Sequence, residues 1–178
     1  MIKSGDIILF EGRGIISRLI RWVCRDDESH IGQAYRNVKG GLFLYDSTTL
    51  SGKDGVKLRL LSEVIENYNG VVKIRPISKP FTELQMVLFR KNIAVNIGKG
   101  YEESKLELLL AAIGRFIGIK VQQPSGTLYC SELVASVFRD LGFIDHDKAL
   151  TPSDFSEGKD KYLELKHITL GKEIILKE

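Results

Sequence analysis

The sequence predicts an α+β fold, and three patterns carry that prediction. A short apolar run, Ile7-Ile8-Leu9-Phe10, stands between Gly5 and Gly12. Two further apolar runs, residues 29–35 and 42–46, are separated by Gly40-Gly41. Apolar residues then recur at three- and four-residue spacing over 81–97, 104–113 and 130–141. The first two patterns are those of a buried strand and a β-hairpin, and the third is that of amphipathic helices.

Taken in order, residues 6–10 form the first strand, and Ile15 to Val23 repeats apolar positions as a short amphipathic helix with Arg18, Arg21 and Arg25 on its wetter side. The acidic loop Asp26-Asp27-Glu28 leads into the hairpin. A polar stretch from Ser51 to Gly55 precedes a short helix at 61–67 and a strand at 71–75, which Pro76 and Pro80 bring to a close. Gly98 ends the helix at 81–97, and Gly142 ends the one that begins near Cys130. The turn Thr151-Pro152-Ser153-Asp154 and a strand-like tail at 168–176 complete the chain, which is read as a single domain over 1–178.

Composition narrows the function. With 43% hydrophobic and 28% charged residues the chain is a globular protein rather than a disordered one. A net charge of +3 falls short of the dense basic stripe of a nucleic-acid binder, so no nucleic-acid partner is expected. The N-terminus has an acid and a glycine where a signal peptide needs an apolar run, so a cytoplasmic location is expected, unless a phage or lysis delivers the protein to the cell wall. The two cysteines, Cys24 and Cys130, support neither a disulfide framework nor a metal knuckle. No cofactor and no metal are expected, and Asp145-His146-Asp147 reads as a solvated loop because adjacent residues splay apart.

A thiol becomes a strong nucleophile when it loses its proton, and both a helix N-terminus and an imidazolium stabilise the thiolate. Cys130 is placed at a helix start, although a small buried apolar role competes with that reading. His30 arrives on a mostly apolar strand, whereas His146 and His167 lie in charged sequence, so His30 is the base to match it. Even-sum pairing across the hairpin puts Asp46 on the face of His30, opposite it or one diagonal step away, where it could hold the imidazole tautomer. Odd-sum pairing would bring Ser47 there instead. Cys24 fits a packing role better, and Gly12-Arg13-Gly14 lacks the ending of a phosphate loop.

The pattern Gly5-Asp6-Ile7-Ile8-Leu9-Phe10, Ser29-His30-Ile31-Gly32 and Tyr129-Cys130-Ser131-Glu132-Leu133-Val134 resembles the NlpC-type cell-wall cysteine hydrolases, in their circularly permuted papain-like YiiX/YaeF-like branch. In that branch histidine precedes cysteine, as here. The likeness extends to residues 12–22, Gly100-Tyr101 and residues 151–154. It implies a permuted papain-like arrangement: a central antiparallel sheet packed against the helix that bears Cys130, with the cleft between them. It also implies amide cleavage, often in peptidoglycan stem peptides. The family often carries Glu where this chain has Asp46, and Tyr101 matches a tyrosine that lies beside the nucleophile and helps hold the oxyanion.

The expected function is therefore a cysteine hydrolase of peptidase or amidase type, with Cys130, His30, Asp46 and Tyr101 as site residues and a peptide or peptidoglycan fragment as substrate. Two rivals stand beside it. A thiol acyltransferase of the lecithin retinol acyltransferase type would use the same thioester, and the helix bearing Trp22 would then be a lipid or peripheral-membrane contact. A non-catalytic module binding a peptide or lipid would need no reactive thiol.

Overall fold

Ile7, Ile8, Leu9 and Phe10 are all fully buried, and the first strand reads as an unbroken apolar run because both its faces are covered. The computed structural model describes residues 1–13, 28–48, 55–99 and 129–178. Six strands form one sheet: β1 (Ile7–Gly12), β2 (His30–Arg36), β3 (Leu42–Thr48), β4 (Gly55–Leu60), β5 (Gly70–Arg75) and β6 (Ile174–Lys177). Their order is β4-β3-β2-β1-β5-β6, and every neighbouring pair is antiparallel. Four helices accompany them among the described residues: α1 (Leu61–Asn67), α2 (Glu83–Asn96), α3 (Cys130–Asp140) and α4 (Asp160–Leu163).

The two faces of the sheet carry separate apolar clusters. Ile7, Leu9, Ile31 and Tyr45 pack with Phe89 and Ile93 of α2 and with Leu133, Val137 and Phe138 of α3. Ile8, Phe10, Ala34 and Leu44 pack on the opposite face with Leu61 and Val64 of α1. Burying a Leu, Val or Phe side chain fully contributes roughly 1.5–3 kcal/mol. That face of α3, more than helix propensity, fixes where its first residue lies.

The β2/β3 hairpin takes even-sum register, with Gln33 paired to Tyr45 and Arg36 to Leu42. Its turn is set by Asn37, whose Oδ1 accepts from the N–H groups of Lys39 at 3.0 Å and Gly41 at 2.8 Å. At the other side of the sheet, Arg75 is 1% exposed and its guanidinium ties the C-terminal region to β5. It donates to the carbonyls of Phe155, Ser156 and Gly171, each at 2.9 Å, and to both carboxylate oxygens of Asp160.

Three expectations need correction or completion. The strand-like tail expected over 168–176 is shorter, Ile174–Lys177, because Gly171 turns the chain inward: its N–H donates to Pro76 O at 2.7 Å while its carbonyl takes Arg75. Thr151-Pro152-Ser153-Asp154 opens a 3-10 helix (Pro152–Phe155), since Asp154 Oδ2 accepts from the N–H and hydroxyl of Thr151. Strand β4 was hidden behind the polar stretch before it, although Val56, Leu58 and Leu60 alternate with Lys57 and Arg59. The helices expected at 15–23 and 104–113 and the loop at 122–126 lie outside the described residues.

Candidate active site

Helix α3 begins at Cys130, because Tyr129 stays extended (φ −71°, ψ 157°) while its carbonyl accepts the first helical bond, from Leu133 N–H at 2.9 Å. Among the described residues no side chain caps this end, and the first-turn N–H groups bring the positive end of the helix dipole beside the thiol. Cys130 itself is 7% exposed. It sits in the cluster under α3, and its position is set by the buried residues that follow it.

His30 is the first residue of β2. Its ring lies against Phe10, its partner in the β1/β2 register, with centroids 5.3 Å apart. The preceding Ser29 donates its N–H to Phe10 O at 2.8 Å and accepts from Gly12 N–H at 3.0 Å through its hydroxyl. One residue earlier, Glu28 reaches Lys73, which also pairs with Glu11 and Glu173. Burial opposes the charge on Lys73 most strongly, yet hydrogen bonds to Glu11 and Glu173 outweigh it and hold the ammonium more firmly protonated than usual. These contacts pin the segment that delivers His30. Because β2 lies inside the sheet, the imidazole is reachable at the strand's end rather than along a sheet edge.

Continuing the β2/β3 register puts Thr48 opposite His30 and Gly32 opposite Asp46. Asp46 is therefore a diagonal neighbour of His30 on one face, and its Oδ2 lies 2.8 Å from His30 Nε2. Ser47 points to the other face. Asp46 is fully buried, and Arg59 of β4 grips it from the far side: Nε donates to Oδ1 at 3.2 Å, and a terminal guanidinium nitrogen donates to Oδ2. Sequence reasoning missed Arg59. The usable signal was the alternation of β4, which puts Arg59 on the Asp46 face one diagonal step away.

With Nε2 engaged by Asp46, the other ring nitrogen is left for the thiol. His30 is pushed up to about 9: burial pulls it down, but the electrostatic interaction with Cys130, and after it the hydrogen bonds to Asp46 and Cys130, more than offset that. The first residue of β2, the first residue of α3 and the middle of β3 thus meet in one electrostatic unit. Tyr101 and Cys24 lie outside the described residues, as does Trp22. His146 donates its Nε2–H to Leu163 O at 3.1 Å, and neither it nor the exposed His167 joins the unit.

The chain is thus an α+β protein with a six-stranded antiparallel sheet and a cysteine at the start of a helix packed on it. No protein-family model matches the sequence, and no curated protein is similar to it at a significant level. Among solved structures, it is similar to the metalloprotein YiiX of Escherichia coli O157:H7 (DUF1105), with a TM-score of 0.57 and 20% identity. The likeness covers 79% of this chain and 66% of the YiiX chain, just short of two thirds of that protein. At this identity it shows a shared YiiX-like fold. Among the described residues of this chain, no group of three or more His, Cys, Asp or Glu side chains could hold a metal ion.

Proposed function

We propose that the protein is a cysteine hydrolase that cleaves an amide bond through a thioacyl intermediate. The observation that carries this reading is the placement of one imidazole between a helix-start thiol and a buried carboxylate, with Nε2 taken by Asp46. The Cys130 thiolate attacks the amide carbonyl, a C–S bond forms, and the C–N bond breaks as His30 gives its proton to the departing amine. Water then loses a proton to His30 and adds to the thioester, which releases a carboxylic acid and returns the thiol. The backbone N–H of Cys130 is proposed as a donor for the oxyanion, and Tyr101 as a second from the family resemblance.

The permuted papain-like arrangement and a peptidoglycan stem peptide as substrate rest on the sequence motifs around Cys130 and His30, which the YiiX-like fold accompanies. The test is turnover of soluble muropeptides by the parent and by Cys130→Ser, with intact-mass detection of the acylated enzyme. The expected result is a mass adduct in the parent and a loss of at least about a thousandfold in the variant. Full turnover in Cys130→Ser would overturn the mechanism. Transfer of the acyl group to an added amine or alcohol, in place of free acid, would reassign the protein to the acyltransferases.

A further inference from the structure

The buried carboxylate at the centre of the site has two cationic neighbours of different kinds. His30 loses and regains a proton in any cycle that uses it as base and acid, whereas a guanidinium stays charged throughout. Asp46 is 0% exposed, and a buried anion without a partner is strongly disfavoured. Were His30 its sole cationic partner, each departure of the imidazole proton would strand Asp46 as a lone buried charge. Arg59 binds both oxygens of Asp46 and shares Oδ2 with His30, and it is itself 20% exposed at the side chain, so its own desolvation is partial.

We propose that Arg59 is a positioning residue of this site: its permanent charge is the counter-ion that keeps Asp46 a carboxylate while His30 gives away and takes back a proton. The inference rests on the proposed use of His30 in proton transfer, but its effect on the ring is measurable without substrate. Among the described residues, the groups that face the imidazole are Cys130 from α3, Asp46 from β3 and Phe10 from β1. Behind Asp46 stand Arg59 and Lys57 of β4, and Lys57 is the register partner of Asp46. Of the two, the guanidinium holds the carboxylate through both oxygens.

The experiment is the titration of the His30 imidazole by nitrogen NMR in the parent, Arg59→Met and Arg59→Lys, together with turnover against pH. Removing a cation beside Asp46 makes the His30–Asp46 pair hold its shared proton more tightly, so the titration in Arg59→Met should move upward by about one pH unit or more. Turnover should fall, and Arg59→Lys should recover much of both. A titration that stays in place or moves down while turnover falls would overturn the proposal and leave Arg59 a packing residue.

Should Arg59→Met fail to fold, the double variant Asp46→Asn with Arg59→Met removes both charges of the pair. If Arg59 acts through Asp46, the double variant matches Asp46→Asn alone in ring titration and Cys130 alkylation. An additional loss in the double variant would overturn the proposal. Should Cys130→Ser retain turnover, the hydrolase reading fails, yet the ring titration still decides whether Arg59 sets the proton affinity of His30.

Discussion

His30 and Asp46 are diagonal neighbours across β2 and β3, joined at 2.8 Å, and the residue directly between them in the pleat is Gly32. A Cβ at Gly32 would stand 2.9 Å from Asp46 Cβ, 2.7 Å from Leu44 Cδ1 and 3.0 Å from Tyr45 O. Two of those atoms belong to parts that cannot swing away. Gly32→Ala is therefore expected to force β3 outward, to cost about 1–3 kcal/mol of stability by overpacking, and to draw Asp46 off the imidazole. Denaturant unfolding measures the first effect and the His30 nitrogen shifts the second. An unchanged His30–Asp46 signal in a folded Gly32→Ala would refute this account of the glycine.

The proton affinity of His30 gives a prediction of definite sign. Burial lowers it and Cys130 supplies the first of the upward influences, which together bring the ring from 6.5 to about 9. Replacing Cys130 with Ala removes that upward influence and leaves the burial. The ring should then titrate well below 9, and Asp46→Asn should lower it by a smaller step. Carbon or nitrogen shifts of the labelled imidazole across pH 5–10 follow both, over a range set by the ordinary value of about 6.5. A titration that ignores the loss of Cys130 would separate the two side chains electrostatically.

Reactivity of the thiol tests the same pair from the other side. Iodoacetamide should modify Cys130 at pH 6.5 at least about tenfold faster in the parent than in His30→Ala, with Cys24 replaced by Ser in both, because an imidazolium beside a thiol favours the thiolate. Equal rates would favour a binding module over an enzyme.

Part of this arrangement is legible in the sequence. The apolar run at 7–10 and the Gly40-Gly41 break showed the strand and the hairpin, and strand alternation narrowed the partner of His30 to Asp46 or Ser47; the choice between them belongs to the turn that Asn37 sets, which residue types alone do not fix. The start of α3 at Cys130 followed from the spacing of Leu133, Val134, Val137 and Phe138. Arg59 was not legible, since its role depends on β4 pairing with β3, and pairing is a long-range fact that a polar stretch at 51–55 concealed. The turn of the tail at Gly171 was hidden for a similar reason: it answers to Arg75, 96 residues away.

Arg75 is expected to be among the most costly side chains to remove. Its donors satisfy three backbone carbonyls and Asp160 at 1% exposure, so Arg75→Met leaves those acceptors without their buried partner. A buried carbonyl left unsatisfied costs about 1–3 kcal/mol, whereas the half-exposed side chain of Asp160 is taken up by water. The measured loss in unfolding free energy should reach that order, and a loss under about 1 kcal/mol would show that water replaces the guanidinium.

Gln33 presents the opposite case. It lies on β2 on the face that α3 covers, is 0% exposed, and among the described residues neither its amide nitrogen nor its oxygen has a hydrogen-bond partner. Leaving such a group unsatisfied costs about 1–3 kcal/mol, whereas a methionine of similar length would bury only apolar surface there. Gln33→Met should therefore raise the unfolding free energy by about 1 kcal/mol or more, read from the denaturant midpoint at constant slope. The neighbouring Ile31 and Tyr45 belong to the apolar cluster that would receive the thioether. A destabilised Gln33→Met would overturn the reading of this amide as unsatisfied.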